Sequence, residues 1–326
     1  MPASSVPQLM AHGRSASTLQ RVPRIAVARG RRALNRGLAA LDSRPVAPTS
    51  DRGSAPVLIL GAPRCGSTLL YQVMAACFDV SYLTNLHCRM YGSPALAERL
   101  VRGRRTGVEY SSRYGTTAGL LAPAECGEFW YRFFRRSPQH VPRGAESAAA
   151  MDRLRASVSR FQQAAGRPLV FKNLICSLRV GPIAAALPGA VFLVLHRDLL
   201  ENGQSLLAAR MQIRGSYADW WSAEPPGVER MRGLPPEQQV IEQVRGVYSA
   251  IDAERAEAGA DRFLDLSYED LCRDPEAMLR TIAEFCAGRG LELRRVGDPP
   301  PAFAATSGVR IDPELYRRLV AAAERP

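Results

Sequence analysis

In LILGAPRCGSTLL, residues 58–70, Gly61 and Gly66 are separated by four residues and followed directly by Ser67 and Thr68. An apolar run, a glycine loop and the start of a helix in that order make a site for an anion. Backbone N–H groups point outward, the helix dipole adds positive charge, and glycine allows close approach. The spacing is that of the Walker A loop, but Ser67 stands where its lysine belongs. In nucleoside triphosphatases that lysine reaches the β- and γ-phosphates beside a magnesium ion. Here Arg64 supplies positive charge from within the loop, and Asp198 is the one carboxylate at a strand end that could hold magnesium. The loop suits an anionic group without metal. Cys65 reads as a small filler, because a phosphatase-type loop would need arginine where Tyr71 stands.

Other chemistry-bearing residues follow apolar runs: Lys172 and Asn173 after VF, His196-Arg197 after VFLVL, and Ser267-Tyr268 after FLDL. Runs of this kind, alternating with helical segments, predict a mostly parallel sheet covered on both faces, a three-layer αβα fold. Ligands on such sheets bind at the carboxyl ends of the strands, where all these residues fall. APVLILG reads as the first strand and the helix after Gly66 carries Leu69, Leu70, Val73 and Met74 as its apolar stripe. RPLVFKN reads as the second strand, AVFLVLHRD as the third and RFLDLSY as the last. Helices are expected at about 199–210 and 236–257, and two more begin at Asp274-Pro275-Glu276 and Asp312-Pro313-Glu314, each an aspartate cap with proline in the first turn.

The chain has 326 residues, a net charge of +12 and a hydrophobic fraction of 46%. Residues 1–54 are expected to form a basic arm, partly disordered or helical, and 55–326 a single domain with a substrate-facing insertion at about 80–145. The basicity is almost entirely arginine, 42 residues against the single lysine Lys172. No basic stretch is interleaved with aromatics for base stacking, so a nucleic-acid partner is not expected. The basic stretch RVPRIAVARGRRALNRGLAALDSR could lie on an anionic membrane surface or pack as a helix on the domain. No apolar run reaches the ~18 residues of a membrane span, and the first 50 residues hold no signal-peptide core. Seven cysteines without a C-x-x-C pair read as free thiols in a reducing compartment, hence a cytoplasmic protein, with a peripheral place at the inner membrane face left open.

Three segments together carry a family resemblance. GAPRCGSTLLYQ resembles the 5′-phosphosulfate loop of sulfotransferases that use 3′-phosphoadenylyl sulfate (PAPS). VFLVLHRDLLENGQSLLAAR is similar to that family's second motif, with Ser205 eight residues after Arg197, and FLDLSYEDLCRDPEAMLRTIAEFC to its third. The resemblance implies a P-loop-like fold and sulfuryl transfer from PAPS to a hydroxyl or amine acceptor, releasing 3′,5′-adenosine bisphosphate (PAP). It assigns Arg64, Cys65, Gly66, Ser67, Thr68 and Leu69 to the 5′-phosphosulfate. Arg197 and Ser205 are assigned to the 3′-phosphate, and Tyr268 to the cofactor's surroundings. Lys172 is expected at the bridging or sulfuryl oxygens. For the general base, Glu125 ranks first, His87 second and Glu128 third, since burial among aromatics would tune a carboxylate. Trp130, Tyr131, Phe133, Phe134, Trp220 and Trp221 line an acceptor pocket or belong to the core. The acceptor class stays open among small molecules, carbohydrates and lipids. A small-molecule P-loop kinase and a non-enzymatic nucleotide- or anion-binding protein are the alternatives.

Overall fold

The computed structural model describes residues 18–42, 55–101, 110 and 117–325. Residues 1–17 and 43–54 of the expected arm, and 102–109 and 111–116 of the expected insertion, lie outside the described residues. Five parallel strands form one sheet in the order β2-β3-β1-β4-β5. They are β1 (Val57–Leu60), β2 (Ser81–Tyr82), β3 (Leu169–Lys172), β4 (Val191–His196) and β5 (Phe263–Ser267). Every residue of β1 and β3 is buried, as strands covered on both faces must be.

Side-chain alternation divides these apolar runs between two cores. Leu58, Leu60, Phe171, Phe192 and Val194 face one helical layer, while Val57, Ile59, Val170, Leu193 and Leu195 face the other. In chain order the helices are α1 (Thr18–Asp42), α2 (Ser67–Cys77), α3 (Asn85–Arg89), α4 (Pro94–Val101), α5 (Gly127–Trp130) and α6 (Ala148–Ala165). Then come α7 (Val180–Ala186), α8 (Leu199–Arg214), α9 (Val228–Met231), α10 (Pro236–Ala258), α11 (Tyr268–Arg273), α12 (Pro275–Ala287) and α13 (Pro313–Ala323). Helices α6, α7, α8, α10 and α13 supply the first layer and α2, α11 and α12 the second.

The expected caps form. Asp274 accepts from Ala277 N at 2.8 Å, and Asp312 accepts from the backbone of Glu314 and Leu315 at 3.0 Å. RPLVFKN is the third strand in chain order, because the two-residue β2 precedes it and pairs with it at the sheet edge. Phe129, Trp130, Phe133 and Phe134 are core residues packed near Phe171. Their burial closes off the acceptor-pocket role that their spacing left open.

Helix α1 is tied to the domain from its inner side. Asn35 Nδ2 donates to Arg31 O and Arg89 O, and Asn35 Oδ1 accepts from Gly92 N at 2.6 Å. Asp42 is buried and accepts from Arg132 at 3.1 Å, from Ser93 at 3.3 Å and from Ser157.

Candidate active site

Strand β1 delivers the glycine loop to the carboxyl edge of the sheet, at its centre. Ser177 Oγ accepts from Gly61 N at 3.0 Å and donates to Gly61 O at 3.1 Å, fixing the loop's first residue. Arg64 takes a φ of 70° and Gly66 a φ of 95°, the left-handed turn that feeds the chain into α2. Gly66 also lies flat against Tyr268, where an added Cβ would stand 2.2 Å from the ring. Gly66→Ala therefore meets both backbone strain and a clash. Its expected cost is about 1–3 kcal/mol of stability, read as a lowered melting temperature in calorimetry. An unchanged melting temperature would contradict the packing of Tyr268 on the loop.

The loop opens into a cavity of about 330 Å³. Arg64, Gly66, Ser67, Thr68 and Leu69 line one side, and Glu125, Lys172, Arg197, Ser205 and Tyr268 close the rest. Lys172, 3% exposed, donates to Thr68 Oγ1 at 3.2 Å and forms an ion pair with Glu125. Asn173 Nδ2 donates to Glu125 O at 3.2 Å and so holds the backbone that carries this carboxylate. Arg64 Nε donates to Ser205 Oγ at 3.2 Å. Arg197 donates to Arg64 O at 3.0 Å and to Thr306 O at 3.3 Å, and its guanidinium lies 4.5 Å from the centre of the Tyr268 ring. Tyr268 is a buried phenol whose pKa is raised by desolvation, so it stays neutral and presents a π face to the guanidinium.

Four cations surround this cavity, because Arg310 lines it as well. The carboxylates that answer them are Glu125 on Lys172 and Glu201, which lies 2.8 Å from Arg310 and 3.7 Å from Arg197. Arg197 Nε is buried and has no hydrogen-bond partner among the described residues. An unmet donor beside cationic side chains and helix-start amides is the donor set a polyanion completes. Asp198 does not line the cavity; it caps α8, accepting from Glu201 N at 2.9 Å. Among the described residues no group of three His, Cys, Asp or Glu could hold a metal ion.

Several expected residues fall elsewhere. His87 is fully buried, so it reaches neither solvent nor the cavity. Thr84 N donates to His87 Nδ1 at 3.2 Å, which makes Nδ1 the acceptor and places the proton on Nε2, 3.5 Å from Glu98. His87 thus completes the capping box of α3. Glu128 pairs with Arg136 at 2.6 Å and lines a second cavity, not the first. Cys65 is fully buried beneath the loop, its amide donates to Ala62 O at 3.2 Å, and burial raises its thiol pKa; it neither lines the cavity nor offers a nucleophile. His196 turns to Asp265 at 2.8 Å and stacks on Tyr248. Glu125 adjoins an ammonium, because the aromatics expected to enclose it turned into the core.

Thr306 and Arg310 were not foreseen. They arrive on the segment before α13, held by Gln204, whose Nε2 donates to Gly308 O and whose Oε1 accepts from Arg310 N, both at 3.0 Å. The available signal was a Thr-Ser-Gly-x-Arg run directly before the Asp312 cap.

A second cavity, about 420 Å³, shares Glu125, Leu174 and Trp221 with the first. Asn85, Cys88, Cys126 and Arg31 continue its wall. Trp220 takes no part in either; its indole donates to Ala223 O at 3.2 Å.

A parallel sheet with a lysine-free glycine loop at its centre and a basic cavity above it defines an α/β protein of P-loop-like form. The sulfotransferase family model matches residues 56–292, and the chain belongs to that family. Similar solved structures include a sulfotransferase from Mycobacterium avium, with a TM-score of 0.49 and 17% identity over 74% of this chain and 64% of that one. One from Mycobacterium tuberculosis has a TM-score of 0.43 and 17% identity over 73% and 68% of the two chains. A third, from Alicyclobacillus acidocaldarius, has a TM-score of 0.41 and 15% identity over 86% and 95%. The chain thus spans a little under two thirds of the Mycobacterium avium protein. No curated protein matches it in sequence.

Proposed function

We propose that this protein transfers a sulfuryl group from PAPS to a hydroxyl or amine of a small-molecule acceptor and releases PAP. The observation that carries the reading is a single cavity. It joins the helix-start loop, the buried Lys172 and the partnerless Nε of Arg197. Arg64, Ser67, Thr68 and the amides of the α2 start hold the 5′-phosphosulfate. Arg197 and Ser205 take the 3′-phosphate, the group that separates PAPS from ATP. Tyr268 supports Arg197 and packs on Gly66.

The second cavity receives the acceptor, with Glu125 at the junction of the two. Glu125 accepts the proton of the attacking hydroxyl or amine as the new bond to sulfur forms. Lys172 neutralises the phosphate oxygen that leaves with the electron pair of the broken S–O bond. Positioning and fixed charge then supply most of the rate, as in phosphoryl transfer.

The kinase alternative is disfavoured by Ser67 in the lysine position and by the engagement of Asp198 as a cap. The seven cysteines are all free, which supports a reducing, cytoplasmic setting. No described helix is long and apolar enough to cross a membrane. The reading is tested by following PAP release from PAPS across phenol, alcohol, amine, sugar and lipid-headgroup acceptors, with and without EDTA. Acceptor-dependent release that survives EDTA is expected. Magnesium-dependent phosphorylation from ATP with no use of PAPS would overturn it.

A further inference from the structure

Helix α3 packs on α5, and the chain around the first is laced to the chain before the second. Ala124 N donates to Leu83 O at 2.8 Å, Asn85 N to Ala122 O at 3.2 Å and Leu86 N to Leu120 O at 2.9 Å. This lacing sets Cys88, on α3, against Cys126, the residue that precedes α5. The two thiols hydrogen-bond to each other, and the backbone N–H of Cys126 also donates to Cys88 Sγ. Both cysteines line the second cavity and neither lines the donor cavity.

The two thiols are unequal. Of the seven cysteines, all within the described residues, six have thiols pushed up by burial. Cys88 alone is lowered, foremost by the hydrogen bond from the Cys126 thiol, then by the Cys126 amide and the charge of Arg31. Arg31 is held there by its own bond to Cys88 O at 2.9 Å. Cys88 is half-buried at the cavity wall, whereas Cys126 is 6% exposed. The thiolate is the reactive form of cysteine, so Cys88 is the nucleophile of the pair. A reachable, stabilised thiolate beside a shielded second thiol is the arrangement that oxidants convert to a disulfide. A thiophilic metal would find no third ligand among the described residues.

We propose that Cys88 and Cys126 form a redox modification site, in which Cys88 reacts with hydrogen peroxide and Cys126 closes a disulfide onto it. Cys88 Sγ attacks one peroxide oxygen, the O–O bond breaks, and hydroxide leaves with the electron pair and takes the thiol proton as water. Cys126 Sγ then attacks the sulfur of the resulting sulfenic acid, forms the S–S bond and displaces a second water. The two thiols lose two electrons and two protons, and the peroxide is reduced to water. Such a disulfide suits a reducing compartment, where it forms transiently and is reversed by thiols. Cys126 directly follows Glu125, which stands at the junction of the two cavities. The S–S bond therefore acts on the segment that carries this carboxylate and on the wall of the acceptor cavity, a consequence that rests on the function proposed above.

The test treats the full, reduced chain with stoichiometric hydrogen peroxide, then alkylates it under denaturing conditions and maps its peptides by mass. Two of the seven thiols should be lost, with the peptides of Cys88 and Cys126 joined, and dithiothreitol should restore both. In Cys126→Ser the reaction should stop at a sulfenic acid on Cys88, captured by dimedone, and in Cys88→Ser the peroxide should leave Cys126 free. No loss of thiols, a bond to another cysteine or to a second chain, or a Cys88→Ser variant oxidised like the parent would overturn the proposal. PAP affinity of the oxidised protein should stay unchanged, while acceptor-dependent PAP release should fall roughly ten- to a hundredfold, as misplaced catalytic groups make it do. Equal turnover in the oxidised and reduced protein would overturn the link to Glu125. Disulfide formation is read without PAPS or acceptor, so its failure would leave the sulfotransferase reading standing, and failure of the PAPS assay would leave the thiol chemistry standing.

Discussion

Lys172→Ala is expected to lower kcat by about a hundred- to a thousandfold, the effect of removing one fixed donor from a developing charge. Its KM for PAPS should change far less, because the interaction strengthens as the leaving oxygen gains charge. The substitution also leaves Glu125, 29% exposed, without its ammonium. A calorimetric melt should accompany the kinetics, to separate loss of chemistry from loss of fold. Lys172→Arg should recover the charge but little of the rate. The lysine is buried and reaches Thr68 and Glu125 with a compact point charge, a space that a planar fork does not fill. A Lys172→Arg variant with parental kcat, or a Lys172→Ala variant affected only in KM, would contradict the role given to this residue. The chain otherwise uses arginine, 42 times, and the burial of its single lysine at a strand end gives that exception a physical reason.

Arg197→Ala carries the second large effect, this time on affinity. A charge-assisted hydrogen bond to a buried anion contributes about 1.5–3 kcal/mol, so PAP should bind roughly ten- to a hundredfold more weakly. Binding of ADP, which lacks the 3′-phosphate, should fall much less. Arg197 also bridges the backbone of Arg64 and Thr306 and covers Tyr268. Arg197→Lys distinguishes the two roles. It keeps a cation but cannot bridge both carbonyls and a phosphate together, so PAP affinity should be only partly restored. An equal loss for PAP and ADP would reduce Arg197 to a loop support.

Much of this architecture was legible in the residues because parallel strands buried on both faces are written as unbroken apolar runs. VLIL, LVFK and VFLVLH needed no context, and the Asp-Pro-Glu caps announced α12 and α13. The anion loop was legible for the same reason, since its glycines and its strand–helix order are local. Strand β2 was not, because two residues at a sheet edge carry no pattern. His87, buried and outside both cavities, was ranked as a candidate base because the base was sought by residue type and neighbourhood. Whether a histidine faces a cavity or caps a helix depends on which way its ring turns, here back onto Thr84 in the capping box of α3. Trp130 and Phe133 had the spacing of either a pocket or a core, and their burial, Trp130 against Phe171 and Phe133 against Phe129, resolved it. Thr306 and Arg310 escaped because they join the cavity through long-range contacts with Arg197, Glu201 and Gln204 that no spacing reveals.

The central claim is that the cavity recognises a 3′-phosphoadenosine anion without metal. Titration calorimetry of the parent protein with PAP, ADP and ATP, each with and without magnesium, tests it most directly. Micromolar binding of PAP that is indifferent to magnesium and far tighter than that of ADP is the result expected. Equal binding of PAP and ADP, or a preference for magnesium-ATP, would contradict the account and return the loop to nucleoside triphosphate chemistry.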